Sequence, residues 1–366
     1  MDGFLLSRAD RTVHATGTRR FFDDVPSASQ ALRRGEATLV VGALPFSPHR
    51  PVVLAQPEEV DVTDGPWQGP EDPGELPAVR ISAEVPLPRV HVERVRRLVD
   101  RLSFGETKKV VAARRVVLEA DEPLDPLALA ARMIERHPDA ATFALDLSAA
   151  GERFWGHSLV GASPELLVSR RGSTVTCRPL AGTAARRADP EEDRRAGEEL
   201  LASAKNLAEH GYVVDWIRSR LAPLCSELDV PGTPELVATP DVWHLASPIT
   251  GTLRDGIDAL TLAWTLHPTP ALAGTPREAA LDLISRFEED RRFFGGTVGW
   301  CDAEGDGDWI VAIRCAELSS DCRRAVAWAG GGIVADSDPV AELDETTAKL
   351  RTLLGALGVE TAPDAG

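Results

Sequence analysis

Residues 296–318 read GTVGWCDAEGDGDWIVAIRCAEL, and the fold class turns on them. Gly296–Cys301 and Trp309–Leu318 are apolar, β-prone runs, and between them lies the acidic, glycine-rich Asp302–Asp308. Two such runs around a short turn segment read as the antiparallel strands of a hairpin. The segment DAEGDGD looks superficially like a calcium loop. It fails as one, because counting Asp302 as position one puts Ile313 at position twelve, where a bidentate Glu is required. Downstream, Ala325–Val334 is a further strand and Val340–Leu357 the last helix. Upstream, Pro276–Phe287 has helical spacing, and HPTPALAGTP (His267–Pro276) carries too many prolines to be anything but a structured loop.

The rest of the chain continues in this manner. Short β-like runs at Thr38–Leu44 and Pro51–Val62 precede a Pro-, Gly- and acid-rich loop over 63–88. His91–Leu102 is helical, with Val95, Leu98 and Leu102 on one face. Lys109–Glu119 is a strand, Pro126–His137 a helix and Thr142–Leu147 a strand. Ser158–Val168 and Thr174–Leu180 are strands, the second closing on a turn at Ala181–Thr183. A long helix is expected from about Glu198 to Leu221, then extended chain over Glu235–Leu253 and a helix over Asp258–Leu266. There is no repeating βα rhythm and no internal repeat, which predicts an α+β fold with large antiparallel sheets. The 366 residues exceed the ~250–300 at which one core usually stops growing, yet no linker is clean enough to divide the chain.

Charge and composition narrow the function. The 40 basic and 57 acidic residues leave a net charge of −17, which repels polyphosphate and makes nucleic acid a poor partner. An anionic substrate would need local neutralisation by a few cations or a metal. No apolar run reaches the 18 residues of a membrane-spanning helix, and MDGFLLSRADRTVHATG is no signal peptide, so a cytoplasmic protein is expected. Five cysteines without a CxxC pair argue against a zinc site or a disulfide framework. Only Lys108, Lys109, Lys205 and Lys349 interrupt an otherwise all-Arg basic set. Arg stays protonated in proteins whereas a desolvated Lys can lose its proton, so these positions merit a chemical reading.

Glu342, Glu345 and Lys349 share one stripe of the last helix. Such a stripe is either a solvated face with a Glu345–Lys349 pair worth ~0.3–0.5 kcal/mol or two carboxylates aimed at a hard divalent cation. Glu209, mid-helix beside His210, is either a surface carboxylate or a third oxygen donor; without Cys or His spacing for zinc, Mg²⁺ is the metal such carboxylates suit. Gly295–Gly296 and Gly330–Gly332 either present backbone N–H groups to an anion or permit tight sheet packing. Arg314 can grip a carboxylate with two prongs. No Walker, GxGxxG, GxSxG or HExxH motif occurs.

In order along the chain stand KVVAAR (Lys109–Arg114), GASPELL (Gly161–Leu167), RPLAGTAARR (Arg178–Arg187), KNLAEH (Lys205–His210) and VWHLASPITG (Val242–Gly251). They are followed by HPTPALAGTP, FFGGTVGWCD (Phe293–Asp302), WIVAIRCAEL, AGGGIVADSDP (Ala329–Pro339) and ELDETTAKL (Glu342–Leu350). With these motifs the chain resembles the chorismate-utilising enzymes, the family of anthranilate, aminodeoxychorismate, salicylate and isochorismate synthases. The resemblance covers about residues 105–357. It implies one large α+β domain of two antiparallel-rich sheets faced by helices, with the site in the cleft between them. Residues 1–104 would then be a weakly matched N-terminal part of the same fold, and 105–366 the chorismate-binding catalytic region.

The resemblance also implies roles. Glu209 and Glu345 would hold Mg²⁺, with Glu342 beside them, directly or through water. Arg314 and the backbone around Gly330 would take the enolpyruvyl carboxylate, and Gly182, Thr183, His244 and Lys349 would line the rest. Ala181 stands where aminodeoxychorismate synthases carry a lysine, and Lys109 where anthranilate synthases usually have Gln. Ala271, Leu272 and Phe294 are similar to isochorismate synthases. The implied reaction is isomerisation of chorismate to isochorismate, for siderophore (2,3-dihydroxybenzoate) or menaquinone synthesis. Lys109 would activate water at C2, and protonated Glu165 would release the C4 hydroxyl, which needs the lysine pKa pushed down and the glutamate pKa pushed up. A salicylate synthase that goes on to expel pyruvate, or a non-catalytic chorismate-binding protein, are the competing readings. A monomer without a glutamine amidotransferase subunit is expected. One departure stands out: SRFEEDRRFF puts Phe287 where the family has Glu, with Glu288 beside it, which leaves the support of the site open at that point.

Overall fold

The computed structural model describes residues 3–69, 74–105 and 107–359. In it the hairpin forms, with Thr297–Asp302 antiparallel to Gly307–Val311, but its second arm is shorter than expected. After Val311 the chain leaves that sheet, Arg314 adopts a left-handed backbone (φ 53°), and Cys315–Leu318 resumes as a strand of a different sheet. The single strand expected over Trp309–Leu318 is therefore two strands. Nothing in a continuous apolar run marks where a chain changes sheets, because both halves are buried on both faces.

Ten strands make the first sheet. From one edge it runs Gly274–Thr275, Lys109–Ala120, Arg324–Ile333, Cys315–Leu318, Ser158–Ser163, Ala141–Asp146, Gly3–Ser7, Arg11–Thr16 and Glu59–Asp64, with Val79–Val85 also on Lys109–Ala120. The second sheet orders Cys225–Asp229, Ile249–Leu253, Thr174–Arg178, Leu166–Arg171, Gly307–Val311, Thr297–Asp302, Leu39–Leu44, Val53–Gln56 and Arg20–Phe22. Leu180–Ala185, Val242–Ala246 and Glu235–Ala238 form a third, small sheet that the sequence did not announce. Among the described residues every strand pair is antiparallel. The first hundred residues supply strands to both large sheets.

Side-chain alternation along each strand separates the layers. On Gly307–Val311, Ile310 packs with Phe4, Val41, Phe143 and Val298 between the sheets. Its neighbours Trp309 and Val311 join Leu32, Ile217 and Leu260 on the outer face, under helices Val25–Arg33, Ala204–Leu221 and Ala259–Leu266. The outer face of the ten-stranded sheet buries Leu118, Val160 and Ala316 against Leu129, Met133 and Leu353 of helices Pro126–Arg136 and Pro339–Ala356.

Three local expectations change. The helix expected from Glu198 to Leu221 is two helices, Pro190–Ala202 and Ala204–Leu221, parted at Ser203, whose side chain accepts from the Asn206 N–H. An N-cap serine satisfies a donor that a continuous helix would not leave free, and periodicity alone does not register it. Ala181–Thr183 is not a turn but a bulge inside Leu180–Ala185. The loop expected over 63–88 holds a strand, Val79–Val85, which pairs with Lys109–Ala120, and its residues 70–73 lie outside the described residues.

Candidate active site

Two chain crossings build the site. Pro164–Glu165 connects Ser158–Ser163 of the ten-stranded sheet to Leu166–Arg171 of the nine-stranded one, and Ala312–Arg314 makes the return trip. The strands before and after each crossing pair with one another, so the crossings lie side by side. The Ala162 N–H donates to the Arg314 carbonyl (3.2 Å) and the Val311 N–H to the Glu165 carbonyl (3.1 Å). Here the sheets part around a cleft of about 840 Å³. Cys315–Leu318 pairs with Arg324–Ile333 only as far as Ala327, so among the described residues 328–333 have no strand partner on that side, and Trp328–Gly330 and Gly332 line the cleft. Lys109, Glu165, Gly182, Thr183, Glu209, His244, Ala271, Leu272, Phe294, Arg314, Gly330, Glu345 and Lys349 all line it; Glu342 does not.

Lys109 and Glu165 are both almost fully buried. Lys109 begins the strand Lys109–Ala120, and its Nζ lies 3.3 Å from Glu209 Oε2. Burial pushes the Glu165 carboxyl up to about 7, outweighing a backbone hydrogen bond at Leu180 and the nearby Lys109, Lys349 and Arg314 charges. A carboxyl so placed holds a proton that it can give up near neutral pH.

Arg314, on the neighbouring crossing, is enclosed, and burial lowers its guanidinium to about 10 despite Asp241, Glu345 and Glu165. Its Nη2 lies 3.4 Å from His244 Nε2. Burial, Arg314 and Lys349 hold His244 at about 3, so the ring is neutral. A guanidinium only donates, so Nε2 is the acceptor and Nδ1 carries the hydrogen, within 3.3 Å of the Gly182 carbonyl and 3.2 Å of Thr183 Oγ1.

The three acids each face a lysine. Glu209 meets Lys109, Glu345 accepts from Lys349 Nζ (2.6 Å), and Glu342 accepts from Lys205 Nζ (3.0 Å) and from the Ser337 hydroxyl. Burial works against the Lys205 ammonium, but the Glu342, Glu209 and Glu345 charges outweigh it and hold its pKa above the ordinary value. Burial and the neighbouring Glu345 raise Glu342. Among the described residues no three His, Cys, Asp or Glu side chains converge as a ready-made metal centre. The donors nevertheless fit a hard cation. Glu342 Oε2 is buried without a hydrogen-bond partner. The missing side chains of two glycines also leave room for the acids: a Cβ on Gly331 would lie 2.9 Å from Glu342 Oε2, and one on Gly332 would lie 2.7 Å from Glu209 Oε2. Mg²⁺ typically takes one or two protein carboxylates and completes its shell with water and substrate.

Several cleft residues escaped the sequence reading. Trp328 stacks nearly parallel on Phe294 (6.1 Å, 10°) and gives the cleft an aromatic wall. Arg291 ties it together: Nε donates to Glu288 Oε2 (2.7 Å), Nη1 to the Leu272 carbonyl and Nη2 to the Val111 carbonyl, while the Ala113 N–H donates to Glu288 Oε1. Glu288, one place past the family position, thus supports the site. Asn206 also lines the cleft; its place in KNLAEH was the available signal.

A family model described as a chorismate binding enzyme matches residues 68–358. A putative isochorismate synthase MenF of Mycobacterium tuberculosis is 48% identical over 364 residues, covering 98% of this chain and 96% of that protein. The crystal structure of a putative 2,3-dihydroxybenzoate-specific isochorismate synthase from Bacillus anthracis superposes with a TM-score of 0.90 at 36% identity, covering 98% of this chain and 96% of that one. The menaquinone-specific isochorismate synthase of Escherichia coli superposes with a TM-score of 0.84 at 26% identity, over 97% of this chain and 89% of that one.

Proposed function

The chain belongs to the chorismate-binding enzyme family, and from that premise we propose that it is an isochorismate synthase that isomerises chorismate with Mg²⁺ bound. The observation that carries this reading is the pairing, in one cleft, of a buried lysine with a buried carboxyl that titrates near 7. Arg314 would receive the enolpyruvyl carboxylate. Lys109 would accept a proton from a water attacking C2 of the ring. The two ring double bonds shift, and the C4–O bond breaks as Glu165 gives its proton to the departing hydroxyl. One water is consumed and one released, so the reaction is an isomerisation without redox change.

Glu209 and Glu345 would hold the metal, with Glu342 beside them, and bound Mg²⁺ would neutralise the second substrate carboxylate. Glu209 cannot serve a cation and Lys109 equally, so a carboxylate turned toward a cation leaves Lys109 without its counter-charge.

No helix among the described residues is long and apolar enough to cross a membrane. All five cysteines are free thiols, which suits a reducing compartment, and we assign the enzyme to the cytoplasm. Because water is the nucleophile, no amidotransferase subunit is required, and a monomer is expected. The product would feed a route to 2,3-dihydroxybenzoate siderophores or to menaquinone.

The test is to incubate the protein with chorismate, with and without Mg²⁺, and resolve products by HPLC alongside a coupled pyruvate assay. Isochorismate formed only with Mg²⁺ and almost no pyruvate supports the reading. Salicylate with stoichiometric pyruvate would replace it with a salicylate synthase, and binding without turnover with a non-catalytic protein.

A further inference from the structure

Arg314 carries a full positive charge in an enclosed place, so something must hold both its charge and its direction when the cleft is empty. His244 does the lesser part, since its contact is long (3.4 Å) and its ring is neutral. The shorter bond runs the other way. Arg314 Nη1 donates to Thr352 Oγ1 at 2.9 Å, and Thr352 Oγ1 donates to Asp241 Oδ2 at 2.8 Å. The direction of this chain is forced. A guanidinium has only donors, so the hydroxyl must accept from it, and a hydroxyl has one proton, which goes to the carboxylate.

The three residues come from three elements. Arg314 lies on a sheet-to-sheet crossing, Thr352 on helix Pro339–Ala356, and Asp241 in the connection between Glu235–Ala238 and Val242–Ala246 of the small sheet. Neither Thr352 nor Asp241 lines the substrate cleft. Both face a second cavity of about 610 Å³, and Arg314 is part of the wall between the two.

We infer that Thr352 and Asp241 are positioning residues for Arg314, acting from behind to fix the guanidinium for the substrate's carboxylate. This rests on the assignment of Arg314 as the carboxylate-binding residue. Thr352→Val keeps the volume but leaves Nη1 without its acceptor. Thr352→Ser keeps the relay, and Asp241→Asn keeps the shape while removing the charge at its end. A hydrogen bond to a charged group, worth enough to matter at least tenfold in affinity, is lost in the first variant and retained in the second.

Chorismate affinity would be read by quenching of tryptophan fluorescence, since Trp328 lines the cleft, and KM and kcat by the isochorismate assay, with melting temperature as a folding control. The expected result is a Kd and KM raised about tenfold or more in Thr352→Val, with kcat within about threefold of wild type. Thr352→Ser should stay within about twofold, and Asp241→Asn should weaken binding by several-fold. If Thr352→Val does not fold, the Asp241→Asn and Thr352→Ser pair decides by the same measurements. Unchanged affinity in Thr352→Val and Asp241→Asn, a loss confined to kcat, or Thr352→Ser as weak as Thr352→Val overturns the relay while leaving the enzyme assignment intact. A wild-type protein that neither binds nor converts chorismate overturns both.

Discussion

Lys109 and Glu165 are ordinary residue types in an uncommon setting: two ionisable side chains almost wholly removed from water within one cleft. Lys109→Ala should abolish turnover while chorismate still quenches tryptophan fluorescence. Lys109→Arg is the sharper variant. It keeps a cation opposite Glu209 but cannot release its proton, so it should be as inactive as the alanine variant. An active arginine enzyme would reduce Lys109 to an electrostatic role. Glu165→Gln should lower kcat by at least about a hundredfold, the lower range for losing a positioned acid. The pH profile follows from the same carboxyl. With a pKa near 7 in the free protein, the protonated fraction falls as pH rises, so kcat/KM should decline about tenfold per pH unit above about 7. A profile flat from pH 6 to 9 would remove Glu165 as the acid.

The strand Arg324–Ile333 decides how closely the acids approach. It pairs along its length with Lys109–Ala120 but loses its other neighbour beyond Ala327, and the glycines stand where the strand faces the site. At Gly332 a Cβ would lie 2.7 Å from both Glu209 Oε2 and Lys109 Cε. Both contacts are near the ends of flexible side chains, so Gly332→Ala should fold, with a melting temperature within a few degrees of wild type, yet lose at least about tenfold in kcat because the Lys109–Glu209 geometry is displaced. Full activity in that variant would mean the close approach is incidental. Helix Ala204–Leu221 acts likewise as a unit: it brings Asn206 and Glu209 to the cleft wall and Lys205 against Glu342 behind it.

At the scale of the molecule, burial of histidine sets the response to acid. Burial holds His91, His210 and His267 at about 4 and His244 at about 3, whereas each titrates near 6.5 in the unfolded chain. The unfolded state therefore binds more protons as pH falls below 6.5, and folding stability should drop through the interval from 6.5 to 4. Glu165 has the opposite sign: its stabilising contribution is full below about 4.5 and lost as pH rises to about 7. The four histidines outweigh the one carboxyl throughout, so the melting temperature should rise steeply between pH 4.5 and 6.5 and flatten above about 7. A melting temperature level across that range would contradict the neutral, buried histidines.

Much of this was legible in the chain itself. Of its four lysines, Lys109, Lys205 and Lys349 each meet a carboxylate at the site, Lys205 from an exposed position, so the rarity of lysine pointed where its chemistry lies. The hairpin at Asp302–Asp308 and the residues carried by the family motifs were equally visible, because turn chemistry and side-chain type are local properties. The division of Trp309–Leu318 between two sheets was not visible, nor was the stacking of Trp328 on Phe294, the Glu288–Arg291 brace or the Arg314–Thr352–Asp241 relay. A continuous apolar run reports that a strand is buried on both faces but not which sheet accepts it. Contacts between residues tens or hundreds of positions apart exist only once two sheets cross. The sequence by itself determined which groups are available and how each segment is patterned; the tertiary structure decided which of those groups share one enclosed space, because only packing removes the water that otherwise keeps their charges independent.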